Sequence, residues 1–386
     1  MQTALTIALQ VSVIALLLFG SRRMPAGTWN EDYLSLSQTK GLQGMLALFI
    51  VFHHCGQKVM YAYLFHGLGF TSGLTLISLI GFMFVGYFLF CSGFGLYRSN
   101  HDKKAYLSGF LRHRPLPLLA IFYACNTLYL AGRLAFGETF DVPRLVRLSL
   151  GIELANPNSW YAVALPLLYV LFYLSARNSP DDGQVVRRLF VGTGAYMLVG
   201  TVATTALSGG GFLAFAGVWW YDSAILFPMG YLYGLKGDAV AGWMRRNFKK
   251  SVVVSLALCL GGFVPSVFLS FMALPETASA PVRFLVSLAI VATHSIAATG
   301  FVWAMLALSL KRRIQGRVLA FFGSITLELY LMHGFFVQLF HPAFYDMGTG
   351  VFQIGYTPDY ILVVLALGTV VALLFRLLTK RLLGHR

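Results

Sequence analysis

The chain has 386 residues, of which 58% are hydrophobic and 11% are charged. Soluble domains contain about 45–50% apolar and about 25% charged residues, so a soluble globular fold is excluded. Disordered, collagen-like and disulfide-scaffold proteins are also excluded, because apolar runs recur along the whole chain, glycine has no three-residue period and only four cysteines are present. The run 361–374 does not alternate as the strand of a transmembrane barrel would. The composition therefore predicts an all-α polytopic membrane protein.

About eleven apolar spans, each close to the length of a transmembrane helix, follow one another along the chain. In chain order they cover residues 3–20, 43–62, 73–97, 114–136, 160–176, 190–208, 212–235, 251–272, 282–310, 318–340 and 360–377. The first span is predicted to be a retained helix rather than a signal peptide, because Arg22 and Arg23 follow its apolar core and no basic residue precedes it.

The net charge of +15 comes from short basic clusters between the spans rather than from one basic surface, which argues against a nucleic acid partner. When alternate loops are assigned to the same side of the membrane, only five of the 29 Lys and Arg residues lie on the opposite side. Those few are Lys58, Arg133, Arg144, Arg147 and Arg283. The positive-inside rule then predicts a cytoplasmic C-terminus and, for an odd number of spans, an N-terminus outside.

The two longest loops, 137–159 and 341–359, are predicted to be extracytoplasmic. They either shape an acceptor site or serve as solvated connections. The four cysteines lie inside apolar spans without the spacing of a metal or redox motif, so no metal site is predicted.

Ionisable side chains inside the spans are the main functional candidates, because a charge in hydrocarbon is costly and usually marks a functional path. They are His53 and His54 in the second span, Asp222 in the seventh, His294 in the ninth, and Glu328 and His333 in the tenth. A histidine can take a proton from a hydroxyl or thiol near neutral pH. Adjacent histidines point about 100° apart on a helix, so we expect one to be catalytic and the other supporting. A hydrogen-bonded interior pair is the alternative.

The remaining interior residues support more than one interpretation. His294 is more typical of a structural interior histidine. Asp222 follows the aromatic stretch 219–221, which suits either a sugar site or a membrane-interface belt. Glu328 and His333 lie about 140° apart around a helix, so a direct pair is not expected. A proton-coupled transporter would use the same set of residues.

The loop between the third and fourth spans is strongly basic. Its residues Arg98, Lys103, Lys104, Arg112, His113 and Arg114 could bind a phosphorylated ligand, or could serve only to set the topology. The sequence has no Walker loop and no GxGxxG motif after a strand, so nothing supports ATP or dinucleotide use.

Four stretches together resemble the acyltransferase-3 superfamily of integral-membrane acyltransferases. They are Lys40-Gly-Leu-Gln-Gly44 leading into Val51-Phe-His-His54, Phe88-Leu-Phe-Cys-Ser-Gly-Phe-Gly-Leu96 with Phe110-Leu-Arg-His-Arg-Pro115, Asn158-Ser-Trp-Tyr161, and Gly323-Ser-Ile-Thr-Leu-Glu-Leu-Tyr-Leu-Met-His333. Each is weak alone, but their order and spacing extend over nearly the whole chain.

The resemblance implies a ten-helix acyltransferase domain at 38–378, preceded by an extra helix and loop at 1–37 and followed by a basic tail at 379–386. It implies an O-acyltransferase of a bacterial inner membrane that uses acetyl-CoA, or a similar acyl-CoA, as the donor. The acceptor would be an extracytoplasmic hydroxyl of a glycan, a lipid-linked sugar or a small molecule, and membrane lipid is a further partner. No metal and no appended SGNH-hydrolase-like domain are expected.

By the same resemblance the family's essential histidine falls on His54, with His53 as its competitor. The arginine that the family places before Gly44 is Gln43 here, and Lys40 lies one helical turn earlier. His54 would be a general base, although a covalent acyl-histidine stays open.

Donor phosphates would contact Lys40, Arg112, Arg114, Lys103 and Lys104. Site-lining residues would be Ser92, Asp222, Glu328, Tyr330 and His333. A proton-coupled transporter and a lipid or glycan flippase are the competing classes.

Overall fold

The computed structural model describes residues 2–65, 73–207, 217–272, 278–340, 345–346, 351–352 and 357–383. The α-helices in this part of the chain are α1 (Gln2–Phe19), α2 (Leu36–Phe65), α3 (Thr75–Leu79), α4 (Gly81–Asp102), α5 (Phe110–His113), α6 (Pro115–Ala135), α7 (Val142–Leu150), α8 (Tyr161–Ala176), α9 (Asp182–Leu207), α10 (Leu226–Arg246), α11 (Phe248–Phe271), α12 (Ala280–Lys311), α13 (Arg317–Ser324), α14 (Thr326–Phe340) and α15 (Thr357–Leu383). A 3₁₀ helix covers Pro157–Ser159.

Short strands form two antiparallel two-stranded sheets in the described residues. Strand β1 (Ser21–Arg23) pairs with β2 (Arg312–Ile314), and β3 (Tyr345–Asp346) pairs with β4 (Val351–Phe352). The chain divides into two compact units. We call Met1–Phe84 with Leu308–Arg386 the terminal unit and Val85–Ala307 the central unit.

In the terminal unit, α2 packs against α13 at glycines that allow the two backbones to touch. A Cβ atom at Gly44 would overlap the Leu319 carbonyl, and one at Gly323 would overlap the Lys40 carbonyl. Gly41 likewise faces the Ile314 side chain. Gly41 and Gly44, the two glycines of the sequence motif that begins at Lys40, therefore both have a packing role.

The predicted tenth span, 318–340, is not one straight helix. It consists of α13 and α14, which meet at Ile325 with a bend of 79°. Continuous hydrophobicity hides the break, because both halves are apolar, whereas the direction of α13 is tied to its close packing on α2 at Gly323. The bend directs α14, with its histidine, along a different path from α13.

The predicted third span, 73–97, is also interrupted. Helix α3 ends at Leu79 and α4 begins at Gly81, and a Cβ atom at Gly81 would overlap the His53 ring. The absence of a side chain at Gly81 makes room for this imidazole. The break is thus tied to the position of one candidate residue.

The central unit uses the same type of close contact. A Cβ atom at Gly93 of α4 would overlap the Phe227 carbonyl of α10, and one at Gly230 would overlap the Phe90 carbonyl. The predicted loop 137–159 is partly helical, since it contains α7 and the 3₁₀ helix. The other long predicted loop, 341–359, lies largely outside the described residues.

Six helices in the described part of the chain are long and apolar enough to cross a membrane, or seven if α13 and α14 form one bent span. Helix α1 contributes a shorter apolar stretch, Thr3–Phe19. Helices α2, α4 and α10 are long but carry polar residues, which lowers their hydropathy. The chain is therefore an all-α polytopic membrane protein, whereas the count of eleven spans stays a prediction.

Candidate active site

His54 on α2 and His333 on α14 form a buried pair in the terminal unit. The distance from His54 Nδ1 to His333 Nε2 is 2.6 Å, and the ring planes differ by 7°. The His54 residue is 7% exposed and His333 is fully buried. The sequence motifs that carry these residues thus meet at one hydrogen bond, although 279 positions separate them.

The hydrogen bonds fix the tautomers of both neutral rings. His333 Nδ1 lies 2.8 Å from the Leu329 carbonyl, which can only accept, so Nδ1 carries the proton. In a neutral ring, Nε2 of His333 is then the acceptor, and His54 Nδ1 must donate to it. The lone pair of His54 is consequently on Nε2, the nitrogen that a general base or a nucleophile needs.

His53 takes a different partner, as the angle between adjacent helical residues predicts. Its Nδ1 lies 2.9 Å from the Ile77 carbonyl of α3, and its ring centroid is 5.1 Å from that of His54. The ring packs against Gly81. The Ile77 carbonyl of α3 and the start of α4 therefore fix the position of this imidazole, which suits a supporting residue.

Other side chains hold the His54–His333 pair in place. The Tyr330 ring lies 6.5 Å from the His54 ring and 6.2 Å from the His333 ring. On α15, a Cβ atom at Gly368 would lie 3.2 Å from the Cα of His333, so only a small residue fits there. Close packing of α15 on α14 at Gly368 thus restricts the position of the His333 backbone.

Glu328 and Lys40 are not joined to this pair. Among the described residues no hydrogen bond or ion pair involves Glu328, and its predicted place in the site stays a prediction. Lys40 and His54 share α2, which places them about 21 Å apart along the helix axis at 1.5 Å per residue.

The central unit contains an acid–base pair that sequence reasoning did not join, between the buried Asp222 and the partly buried His294. His294 Nδ1 of α12 donates to Asp222 Oδ2 at 2.8 Å, and Ser223 Oγ donates to Asp222 Oδ1 at 3.1 Å. Ser295 Oγ donates to the Asp222 backbone carbonyl at 2.8 Å. Both residues could be noticed as polar groups in apolar spans, but a separation of 72 positions left no local signal for the pair.

Aromatic rings surround the segment that carries Asp222. The Trp160 and Trp219 ring centroids lie 5.5 Å apart, and Tyr196 packs edge-on against Trp220 while donating its hydroxyl to the Trp220 carbonyl at 3.0 Å. Rings with a buried body and a polar edge are typical of interfaces where one end is wet. Both interpretations of this stretch, a sugar platform and an interface belt, fit the arrangement.

Ser92 lies in the same unit, next to the Tyr161 and Tyr169 side chains. Tyr161 belongs to the motif around Trp160, so the structure brings the second and third family-like stretches together. No hydrogen bond in the described residues joins Ser92 to the Asp222–His294 pair.

The predicted donor-binding loop is exposed. Lys103, Lys104 and Arg112 are all at the surface. Arg114 Nε donates to the Tyr106 hydroxyl at 3.1 Å, and its guanidinium lies over the Tyr106 ring. The loop therefore presents cations to solvent, with Arg114 held by an aromatic neighbour.

A further charged contact next to this loop was not predicted. His101 Nδ1 donates to the Tyr97 carbonyl at 2.8 Å and Nε2 donates to Asp182 Oδ2 at 2.9 Å, while Tyr231 donates to the other Asp182 oxygen at 3.0 Å. Two acceptors require both ring protons. Partial burial lowers the pKa of His101, but these hydrogen bonds and the nearby carboxylates outweigh it and raise the pKa above 6.5.

The charges of the loop 137–159 mostly pair with one another. Arg133 forms an ion pair with Glu138, and Arg144 Nε lies 2.8 Å from Glu153 Oε1. The hydrogen bond from Arg133 lowers the pKa of Glu138. This pairing favours the interpretation of the loop as a structured, solvated connection over that of an acceptor site.

Comparison with known proteins gives one match. The family model described as an acyltransferase domain, acyltransferase-3, matches residues 39–377, which is nearly the whole chain. The match begins after α1 and β1. No curated protein and no solved structure matches the chain.

Proposed function

This chain belongs to the acyltransferase-3 family, and from that premise we propose that it transfers an acetyl or similar acyl group from acyl-CoA to a hydroxyl group. The acceptor is a glycan, a lipid-linked sugar or a small molecule on the extracytoplasmic side of a bacterial inner membrane. The proposed topology has about eleven spans, the N-terminus outside and the C-terminus in the cytoplasm.

The hydrogen-bonded chain from the Leu329 carbonyl through His333 to His54 carries this proposal. It leaves the lone pair of His54 on Nε2, so this nitrogen removes the acceptor hydroxyl proton while the oxygen attacks the thioester carbonyl. The carbon–sulfur bond breaks, and the proton on His54 passes to the departing CoA thiolate. The protonated His54 is stabilised by its hydrogen bond to His333, which acts as a positioning residue.

A covalent route would use the same nitrogen. His54 Nε2 would attack the thioester and release CoA as a thiolate. The acceptor oxygen would then take the acyl group from Nε2, and the hydroxyl proton would pass through the freed imidazole to the thiolate. Rapid quenching followed by mass spectrometry of the peptide around His54 separates the routes. An acyl adduct that forms and decays at the turnover rate supports the covalent route, and its absence supports direct transfer.

For the donor, we assign the CoA phosphates to Arg112 and Arg114, with Lys103 and Lys104 in support. Exposure of these cations and the planar geometry of guanidinium groups support the assignment. Lys40 supplies positive charge on α2, where Gln43 replaces the family's arginine.

For the acceptor, we assign the aromatic stretch before Asp222 to sugar contacts. The arrangement of Trp160 and Trp219 at 5.5 Å and the partly buried Asp222–His294 pair support a site with apolar faces and a polar partner. Ser92 is a further proposed lining residue in the central unit, and Glu328 and Tyr330 are proposed lining residues beside His54 in the terminal unit.

A proton-coupled transporter or flippase is the second candidate, and the partly buried Asp222–His294 pair favours it, since such pairs mark proton paths in membranes. Membranes with and without the protein, supplied with labelled acetyl-CoA and native extract, distinguish the two functions. Label in an alkali-labile ester supports acyl transfer. Proton-driven substrate movement with no ester from any acyl-CoA would establish the transporter instead.

A further inference from the structure

An apolar groove runs along the terminal unit between the end of α1 and the start of α13. Its volume is about 530 Å³, and its lining includes Ala15, Leu16, Phe19, Val318, Leu319 and Arg317. Phe19 is 91% exposed and Val318 is 47% exposed, so one side of the groove is open. In a membrane protein such a surface contacts lipid chains.

The groove ends where two glycines bring the backbones together. A Cβ atom at Gly20 would lie 2.8 Å from the Cα of Gly316, and the Gln315 N–H donates to the Gly20 carbonyl at 2.7 Å. Strand β1 begins at the next residue, Ser21, and pairs with β2. The polar sheet therefore starts at the mouth of the apolar groove.

This small sheet places arginines directly opposite one another. Arg22 faces Arg313, and Arg23 faces Arg312. Like charges in such cross-strand pairs are destabilising, so an anion at the sheet would relieve the repulsion.

Local acceptors neutralise only part of this charge. Arg312 donates to the Leu18 carbonyl and the Ser21 hydroxyl, both at 2.7 Å, and Arg313 lies 3.4 Å from Asp32. Glu31 and Asp32 are the acidic residues of the first 65 positions. Arg22, Arg23 and the groove-lining Arg317 are all exposed. Cationic groups thus exceed anionic ones at the mouth of the groove.

We propose that this site binds an anionic phospholipid, with an acyl chain in the groove and the phosphate at its basic mouth, where Arg317 lines the groove and the exposed Arg22 and Arg23 of β1 add positive charge. The combination of an apolar groove and a basic mouth matches the two parts of such a lipid, whereas a soluble phosphate would leave the groove unused. The proposal does not depend on acyl transfer, because it rests on the groove and the arginines around it and uses none of the residues assigned to the transfer reaction.

The bound lipid would link α1 to α13, the helix that packs on α2 at Gly44. It would therefore stabilise the terminal unit and not only the N-terminal helix. Thermal stability is accordingly a second readout besides binding.

The test uses the full chain in nanodiscs, with phosphatidylglycerol or phosphatidylcholine of identical acyl chains, and counts bound lipid by native mass spectrometry. The variant R22Q/R23Q removes two exposed charges of the site, and K249Q/K250Q removes two exposed charges from the start of α11 as a control. About fivefold weaker binding per arginine predicts a loss of about 25-fold for phosphatidylglycerol in R22Q/R23Q and none in the control.

Three outcomes would overturn the proposal. They are equal binding of the two lipids by the unmodified protein, equal losses in both variants, or displacement of phosphatidylglycerol by glycerol phosphate, which would indicate a soluble phosphate site. Filling the groove with A15F checks the chain-binding part. Reduced phosphatidylglycerol retention with an unchanged chromatographic profile supports it, whereas full retention contradicts it.

Discussion

Replacing His333 tests whether the hydrogen bond to His54 controls the protonated nitrogen of the base. In His333→Leu, His54 Nδ1 loses its acceptor and the ring is free to carry its proton on Nε2, where it cannot act as a base. In His333→Gln, the amide oxygen can still accept from Nδ1. We therefore expect the leucine variant to lose turnover and the glutamine variant to keep most of it.

The magnitude follows from the burial of the pair. Because His54 is 7% exposed and His333 is fully buried, the loss is that of a buried hydrogen bond, about 1–3 kcal/mol, which corresponds to about 5- to 150-fold in kcat. The KM for acyl-CoA should change little, since the hydrogen bond orients the base rather than the donor.

The assay is the initial rate of labelled acetyl transfer per folded molecule, with folding checked by thermal unfolding and size-exclusion chromatography. A leucine variant that folds normally and turns over at the original rate would refute the tautomer argument. Equal losses in the leucine and glutamine variants would indicate a packing role instead.

Three further predictions concern packing, pH and the donor. Gly44→Ala should destabilise the protein by about 1–3 kcal/mol in thermal unfolding, because the new methyl group overlaps the Leu319 carbonyl. Gly95→Ala is the control and should be neutral or stabilising, since Gly95 has open space around it. A greater loss of stability in Gly95→Ala than in Gly44→Ala would refute the packing role. Because the pKa of His101 is raised, its ion pair with Asp182 contributes its full stability below pH 6.5 and loses it as the pH rises through the raised pKa. Asp182→Asn should therefore flatten this part of the stability–pH profile. An unaltered profile would contradict the ion pair. Arg112→Gln should raise the KM for acetyl-CoA with little effect on kcat, and an unchanged KM would leave the basic loop only its topogenic role.

Helices could be predicted from the sequence because hydrophobicity is continuous over each span, but their breaks could not. The bend at Ile325 and the break at Ile80 lie inside apolar runs that read as single spans. What fixes them is packing against α2 at Gly323 and Gly81, and packing partners distant in sequence leave no trace in a local pattern.

The candidate site was likewise only partly predictable from the sequence. His54 could be singled out as an ionisable group in an apolar span and by its position in a motif. Its partner His333 was identified as a candidate, yet the hydrogen bond between them joins residues 279 positions apart. The Asp222–His294 pair was missed for the same reason, because 72 positions separate the two residues and no local pattern joins them.

The most direct test of the central claim is the rate of labelled acetyl transfer from acetyl-CoA by His54→Ala and His53→Ala at equal expression. The two side chains are neighbours on α2, so each variant controls for the other. Loss of a general base predicts a decrease of about 10²–10⁴-fold for His54→Ala, with His53→Ala retaining transfer per folded molecule. Persistent transfer by His54→Ala, with loss in His53→Ala, would move the base to His53 and contradict the proposed mechanism.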